Sequence, residues 1–293
     1  MAKKTTRRAV FKNLVLGGTA VIAGPSLTAT GNQNIKQNML KGNINHSVCR
    51  WTYSTVPLNE LCEHIKKIGF AAIDLVGPKD WETLKKYQIY SSMCNGAEIS
   101  LTEGWNDKQY HPKLIKNYTD HIDLVAKAGY KNLICFSGNR KGMDDETGLK
   151  NCAEGLKQIL AVAEKKGVFI QMELLNSKVN HKDYMCDKSA WGVELSKRLG
   201  SENFKLLYDI YHMQIDEGDV ISTIKANHKH FGHYHTGGVP GRHEIDDSQE
   251  LYYPAIIKAI VETGFKGYLA QEFIPAKEDK IASLREAIKI CDV

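Results

Sequence analysis

Apolar and polar positions along this chain switch repeatedly between two periods. Short, β-prone apolar runs recur at residues 48–52, 71–75, 89–93, 132–136, 168–174, 204–209, 230–235 and 267–272. Between them lie stretches with apolar residues at helical spacing, among them LNELCEHIKKIG, PKLIKNYTDHIDLVAKAGY, GLKNCAEGLKQILAVAEKKG, AWGVELSKRLG, DVISTIKANH, YPAIIKAIVETG and ASLREAIKICD. Gly69, Gly129, Gly167, Gly200 and Gly264 sit just past a helical stretch and before the next strand, where a left-handed C-cap belongs. Strands that are apolar along their length and polar at their carboxyl ends belong to a parallel sheet whose top edge carries chemistry. Eight strand–helix units predict an α/β fold, a single (β/α)8 barrel of the usual length of roughly 250 residues. No Pro/Ser/Gly-rich linker divides the units, so residues 46–293 read as one domain, with 31–45 as a linker leading into it.

The first thirty residues follow a different pattern. Lys3, Lys4, Arg7, Arg8 and Lys12 come without an acidic residue, and an apolar, small-residue run over 14–23 follows, broken by Gly17 and Gly18 and closed by Pro25. This predicts an export signal over residues 1–30. Within it, TRRAVFK resembles the twin-arginine signal, an address for cargo that folds before it crosses the membrane, although Val10 and Phe11 stand where that signal usually has Phe and Leu. The expected location is therefore periplasmic. The apolar run falls short of the roughly 20 residues a bilayer span needs, so no stable membrane span is expected after processing.

Setting that segment apart changes what the charge means. The chain has 39 basic and 34 acidic residues, a net charge of +5, and residues 1–30 hold five of the basic ones and none of the acidic ones. The remaining body is neutral and lacks the basic footprint of a nucleic-acid binder. There are seven cysteines and no CxxC pair. Cys49, Cys62, Cys135, Cys152 and Cys291 fall within strand or helix patterns and are expected to be buried apolar side chains; folding before export would keep the thiols reduced.

The candidate chemistry lies at the carboxyl ends of the last four strands. Glu173, Asp209, His235 and Glu272 end strands five to eight, and a (β/α)8 barrel brings those ends to one mouth. Three carboxylates gathered without a counter-charge would repel one another and raise their own pKa values. One divalent cation resolves this, and the ligand types suit Mn²⁺, Mg²⁺ or Co²⁺, with Zn²⁺ also admitted. His212 lies just beyond strand six, placed either to hydrogen-bond a substrate oxygen or to serve as a structural histidine. Arg242, in GGVPGR, is a planar charged fork suited to a substrate carboxylate or phosphate, or else an exposed loop arginine. Lys178 and Glu98 lie on loops that should roof the mouth, or are solvated charges. His233 shares a face with His235 and is expected deeper in the barrel; His243 is unassigned.

The order Glu173, Asp209-Ile-Tyr-His212, His235, Pro240-Gly241-Arg242 and Glu272 resembles the xylose isomerase-like barrel superfamily. Within it, ELLNSKVNH, DIYHMQ and PGRHEID look most like the hydroxypyruvate isomerase family, with ketose 3-epimerases next. The resemblance covers residues 45–290 and is most specific in the second half. It implies a metal-dependent isomerase acting through an enediolate. In that scheme Glu173 and Glu272 are metal ligands that also move the proton, and His212, Arg242 and Lys178 are substrate-binding. Typical hydroxypyruvate isomerases are expected to have glutamine as the third ligand, whereas His235 is what the epimerase relatives use. The expected partner is a small hydroxy-carbonyl or sugar substrate, and a homo-oligomer is compatible with the sequence. Two other readings stand beside this one. Endonucleases of the same barrel need further histidines after earlier strands, where this chain has Cys94-Asn95 and Ser137-Gly138. A non-catalytic sugar-binding barrel would not need the intact ligand set.

Overall fold

The computed structural model describes residues 40–293. The expected export segment, and residues 31–39 of the expected linker, lie outside the described residues. Eight parallel strands close into a barrel in chain order: β1 (Asn45–Cys49), β2 (Ala72–Val76), β3 (Tyr90–Cys94), β4 (Asn132–Cys135), β5 (Phe169–Glu173), β6 (Phe204–Asp209), β7 (Phe231–Thr236) and β8 (Tyr268–Gln271). Helices α1 (Leu58–Ile68), α2 (Pro78–Tyr87), α3 (His111–Ala128), α4 (Asp145–Lys166), α5 (Ser189–Leu199), α6 (Ile210–Asp216), α7 (Val220–Asn227) and α8 (Tyr253–Glu262) lie in the crossovers, and α9 (Lys280–Cys291) follows the last strand. The five glycines expected at helix ends all have positive φ, from 63° at Gly200 to 117° at Gly69. Among the described residues no helix is long and apolar enough to cross a membrane, and all seven cysteines are buried and unpaired.

The first strand departs from its expected position. It begins at Asn45 rather than Val48, and the segment expected to end it instead turns through a short 3-10 helix, Trp51–Tyr53. Asn45, His46 and Ser47 are polar, which hid the strand from an apolar pattern, yet they pair with Tyr268, Leu269 and Ala270 of β8. Before it, Leu40 packs on the core. Lys41 N–H donates to Asp292 Oδ1 at 2.8 Å, and Asn43 Nδ2 to Val293 O at 2.7 Å.

The strand pairing is uneven. Register shifts interrupt β2 against β3 on both sides of Asp74, and Leu75 sits at φ 55°. The β3–β4 seam holds by a single register pair, Cys94 with Leu133, helped by Asn132 Nδ2 donating to Ser92 O at 2.8 Å. In contrast, β5 to β8 pair over three or four residues each, which fixes the relative height of their carboxyl ends.

Candidate active site

Those heights bring four side chains together. Glu173 is the last residue of β5, Asp209 the last of β6 and in register with His235 of β7, and Glu272 follows β8 with its N–H on Thr236 O at 3.1 Å. One ligand atom from each of Glu173, Asp209, His235 and Glu272 lies within 4.8 Å of the others. All four are at most 4% exposed. His235 Nδ1 lies 3.2 Å from Glu173 Oε1 and 2.9 Å from Glu272 Oε2, between the two carboxylates.

Burial acts on all three acids, and their neighbours split them. It pushes Asp209 well above the usual carboxylate range against the pull of Arg242, and it raises Glu173 against the pull of the neighbouring His235. On Glu272 the same burial is outweighed by Arg242 and His235, and the carboxyl stays well below its ordinary value. His235 is desolvated too, but the charges of Glu272 and Asp74 hold its imidazole well above its ordinary value. The centre thus holds three acids that its two cationic groups stabilise unequally.

Glu173 Oε1, His235 Nδ1 and His212 Nε2 are buried with no hydrogen-bond partner among the described residues. Two of these orphaned atoms belong to the four-residue cluster. Three carboxylates and one imidazole nitrogen in so small a space fit a hard to borderline divalent cation. Glu173, Asp209, His235 and Glu272 could hold it.

His212 stands in α6, one turn beyond Asp209, whose Oδ1 caps that helix by accepting from His212 N–H at 3.2 Å. Its ring orientation follows from Asn176. Asn176 Oδ1 accepts from the N–H groups of Val179 and Asn180, at 3.1 and 2.9 Å, so its Nδ2 faces His212 Nδ1 at 2.6 Å, and Asn176 N–H adds a second donor at 3.2 Å. With two donors on Nδ1, that nitrogen accepts and the proton sits on Nε2, 3.6 Å from Asp209 Oδ2. Burial first, then the Arg242 charge, keeps the imidazole neutral, far below its ordinary value.

Arg242, at φ 60° in its loop, is sandwiched between the rings of Trp51 and Tyr211, 5.3 and 5.2 Å from their centres. Its Nη2 reaches Glu272 Oε2 at 2.5 Å and Asp209 Oδ2 at 3.3 Å. The other oxygen of Glu272 accepts from Trp51 Nε1 at 2.7 Å and from the Cys49 thiol at 3.5 Å. Lys178 is not at the centre, contrary to the substrate-binding role expected of it. Its ammonium donates to the carbonyls of Ile215 and Asp216, at 3.0 and 2.8 Å, because the carboxyl end of α6 offers free carbonyls and the negative end of a dipole. Glu98 folds back to accept from Gly96 N–H at 2.8 Å, and the exposed His243 ties its loop to Ile274 O at 3.0 Å. His233 lies deeper in the barrel, as its face predicts, 2.7 Å from Asp74 Oδ2.

Asp74, Trp51 and Asn176 are the residues that sequence reasoning did not single out. Asp74 left one signal, a lone acid at the centre of the otherwise apolar AIDLV strand. Trp51 sits in the short 3-10 helix where a strand end was expected, and Asn176 in a loop, where no period assigns a direction.

Residues 62–291 match the family model described as xylose isomerase-like TIM barrel. A 2-oxo-tetronate isomerase of Cupriavidus necator is 33% identical over 122 residues, 42% of this chain and 46% of that protein, so the match spans less than half of the relative. A Drosophila melanogaster protein provisionally named hydroxypyruvate isomerase is 38% identical over 217 residues, 71% of this chain and 82% of its own length. Among solved structures, the D-psicose 3-epimerase of Clostridium cellulolyticum H10 with D-tagatose shares the fold at a TM-score of 0.65 and 19% identity, over 85% of this chain and 94% of that one.

Proposed function

The chain belongs to the xylose isomerase-like TIM barrel family, and from that premise we propose that it is a divalent-cation-dependent isomerase. It moves a proton between adjacent carbons of a 2-hydroxy-carbonyl substrate through an enediolate, and the substrate pair we favour is hydroxypyruvate and tartronate semialdehyde. The observation that carries this reading is the meeting of three carboxylates and one imidazole nitrogen within 4.8 Å at the barrel mouth. A divalent cation held there would supply Lewis acidity toward the carbonyl and hydroxyl oxygens of the substrate.

The chain's own groups divide the rest of the work. Glu173 and Glu272 flank His235 Nδ1 on two sides, at 3.2 and 2.9 Å, so one carboxylate can take the carbon-bound proton while the other faces the neighbouring carbon. Glu173, raised by burial, is the stronger proton acceptor of the two, and Glu272, held low by Arg242 and His235, gives up a proton the more readily. The neutral His212 offers its Nε2–H to a substrate oxygen without adding charge. Trp51 and Tyr211 lie against the Arg242 guanidinium beside the cluster, where it would meet a further oxygen of the substrate.

A second reading, ketose 3-epimerase, is favoured by two features. His235 stands at the third ligand position, and Arg242 is already paired with the ionised Glu272, which suits a hydroxyl more than a substrate carboxylate. Proton NMR in D₂O separates the two. With Mn²⁺ or Mg²⁺ removed and restored, the carbon-bound proton signal of hydroxypyruvate should disappear only in the presence of metal. Loss from a ketose instead would assign the epimerase reading, and no exchange from either would overturn both. Glu173→Gln and Glu272→Gln should each abolish the exchange, by a factor of roughly 100 or more, in a folded protein.

A further inference from the structure

Beneath the four-residue cluster the barrel interior carries a second polar layer, where bulky branched side chains would ordinarily pack. Ser47, Asp74, Ser92 and His233, from β1, β2, β3 and β7, are fully buried. Asp74 links them. Its Oδ2 accepts from Ser92 Oγ at 2.8 Å and lies 2.7 Å from His233 Nε2; its Oδ1 lies 3.0 Å from His235 Nε2. Ser92 Oγ is itself 2.5 Å from Ser47 Oγ.

Two costs converge on this residue. A carboxylate with no exposure is expensive to bury even when paired. The backbone is also deformed to deliver it: the β2–β3 register shifts on both sides of Asp74, and Leu75 takes the left-handed conformation at φ 55°. A bulge of this kind re-aims a side chain, and a non-glycine residue in the left-handed region is strained. Such expense is met where a function requires it, and here the carboxylate that it delivers ends on the nitrogen of His235 that faces away from Glu173 and Glu272.

From this geometry we infer that Asp74 is a positioning residue that keeps the His235 proton on Nε2 and so presents the Nδ1 lone pair to the cation. The inference rests on the reading that Glu173, Asp209, His235 and Glu272 hold a divalent cation. Once a cation takes one nitrogen, the imidazole has a single proton left to place. A carboxylate at Nε2 binds it there by a charge-assisted hydrogen bond, and Nδ1 is left free as a ligand. Ser92 donates to the other oxygen, which holds Asp74 turned toward His235.

Mn²⁺ affinity, measured by competition with a chelator on the purified protein, tests this. Asp74→Asn should weaken binding roughly 10- to 100-fold, as removing the partner of a ligating histidine does. His233→Asn leaves the Asp74–His235 contact in place and should change affinity by less than about threefold on the same basis. An equal loss in both variants would mark the layer as purely structural and overturn the inference, as would unchanged affinity in a folded Asp74→Asn protein. A measurement on the unaltered chain covers the case in which that variant does not fold. Nitrogen-15 NMR of the histidines with Zn²⁺ bound should show His235 coordinated through Nδ1 with the proton on Nε2, and coordination through Nε2 would overturn it. If the unaltered protein binds no divalent cation, it is the reading of the four-residue site that fails.

Discussion

His212 shows how neighbours set the protonation state of a single side chain. In isolation an imidazole is half charged near neutrality and places its proton on either nitrogen. Here Asn176 presents two N–H donors to Nδ1, so the proton is confined to Nε2, on the side of Asp209, and burial keeps the ring uncharged. A neutral N–H aimed at a developing oxyanion stabilises it without repelling the cation beside it. His212→Ala should therefore lower the rate of proton exchange by roughly 100-fold, the scale of losing one such donor, with cation affinity nearly unchanged. Single-turnover exchange and Mn²⁺ titration on the same preparation check the two halves, and an unaltered exchange rate would remove His212 from the chemistry. The four residues of the cluster stood out in the sequence, since each is a polar residue closing an apolar run. Asn176 was not, because the chain records a residue's type but not which way its amide turns, and Lys178 was misplaced for the same reason: a loop charge carries no direction.

At the scale of the element, β1 explains where the strand pattern failed. Its first residues, Asn45, His46 and Ser47, are polar, and the strand exists because β8 and β2 hydrogen-bond its backbone on both sides. Pairing on two edges outweighs weak intrinsic preference. One consequence is a histidine in an apolar setting. His46 is 4% exposed, edge-on to Phe70 at 6.2 Å, and neither ring nitrogen has a partner among the described residues. Burial lowers its pKa to about 4, with Asp292 opposing. Between the ordinary value of 6.5 and about 4 the unfolded chain binds a proton that the folded chain does not, so stability falls as pH drops through that window and is fully present above it. The shift corresponds to roughly 3 kcal/mol at about 1.4 kcal/mol per pH unit. In denaturant titrations at pH 7 and pH 4.5, His46→Leu should lose roughly 2 kcal/mol less stability than the unaltered protein on acidification. Equal losses would show that His46 contributes no acid sensitivity.

For the molecule as a whole, the eight-unit barrel was legible because helix and strand periods alternate so regularly, whereas the inner polar layer was not. Its members come from four strands, and nothing in one strand announces what it meets across the barrel; Asp74 and His235 are 161 residues apart. The candidate ligands, by contrast, all come from consecutive strands, β5 to β8, one unbroken arc of the sheet. The sheet's thinnest seam, one register pair between β3 and β4, lies outside that arc. Amide hydrogen exchange gives this separation a measurable form, because local opening draws on whichever unit is least tightly bonded. The β3 and β4 amides should exchange ahead of those in β5 to β8, and adding Mn²⁺ should slow the second group while leaving the first unchanged. Uniform protection across all eight strands would mean that the barrel opens only as a whole. If the two groups separate, the wall can breathe on one side while the chemistry on the other keeps its shape.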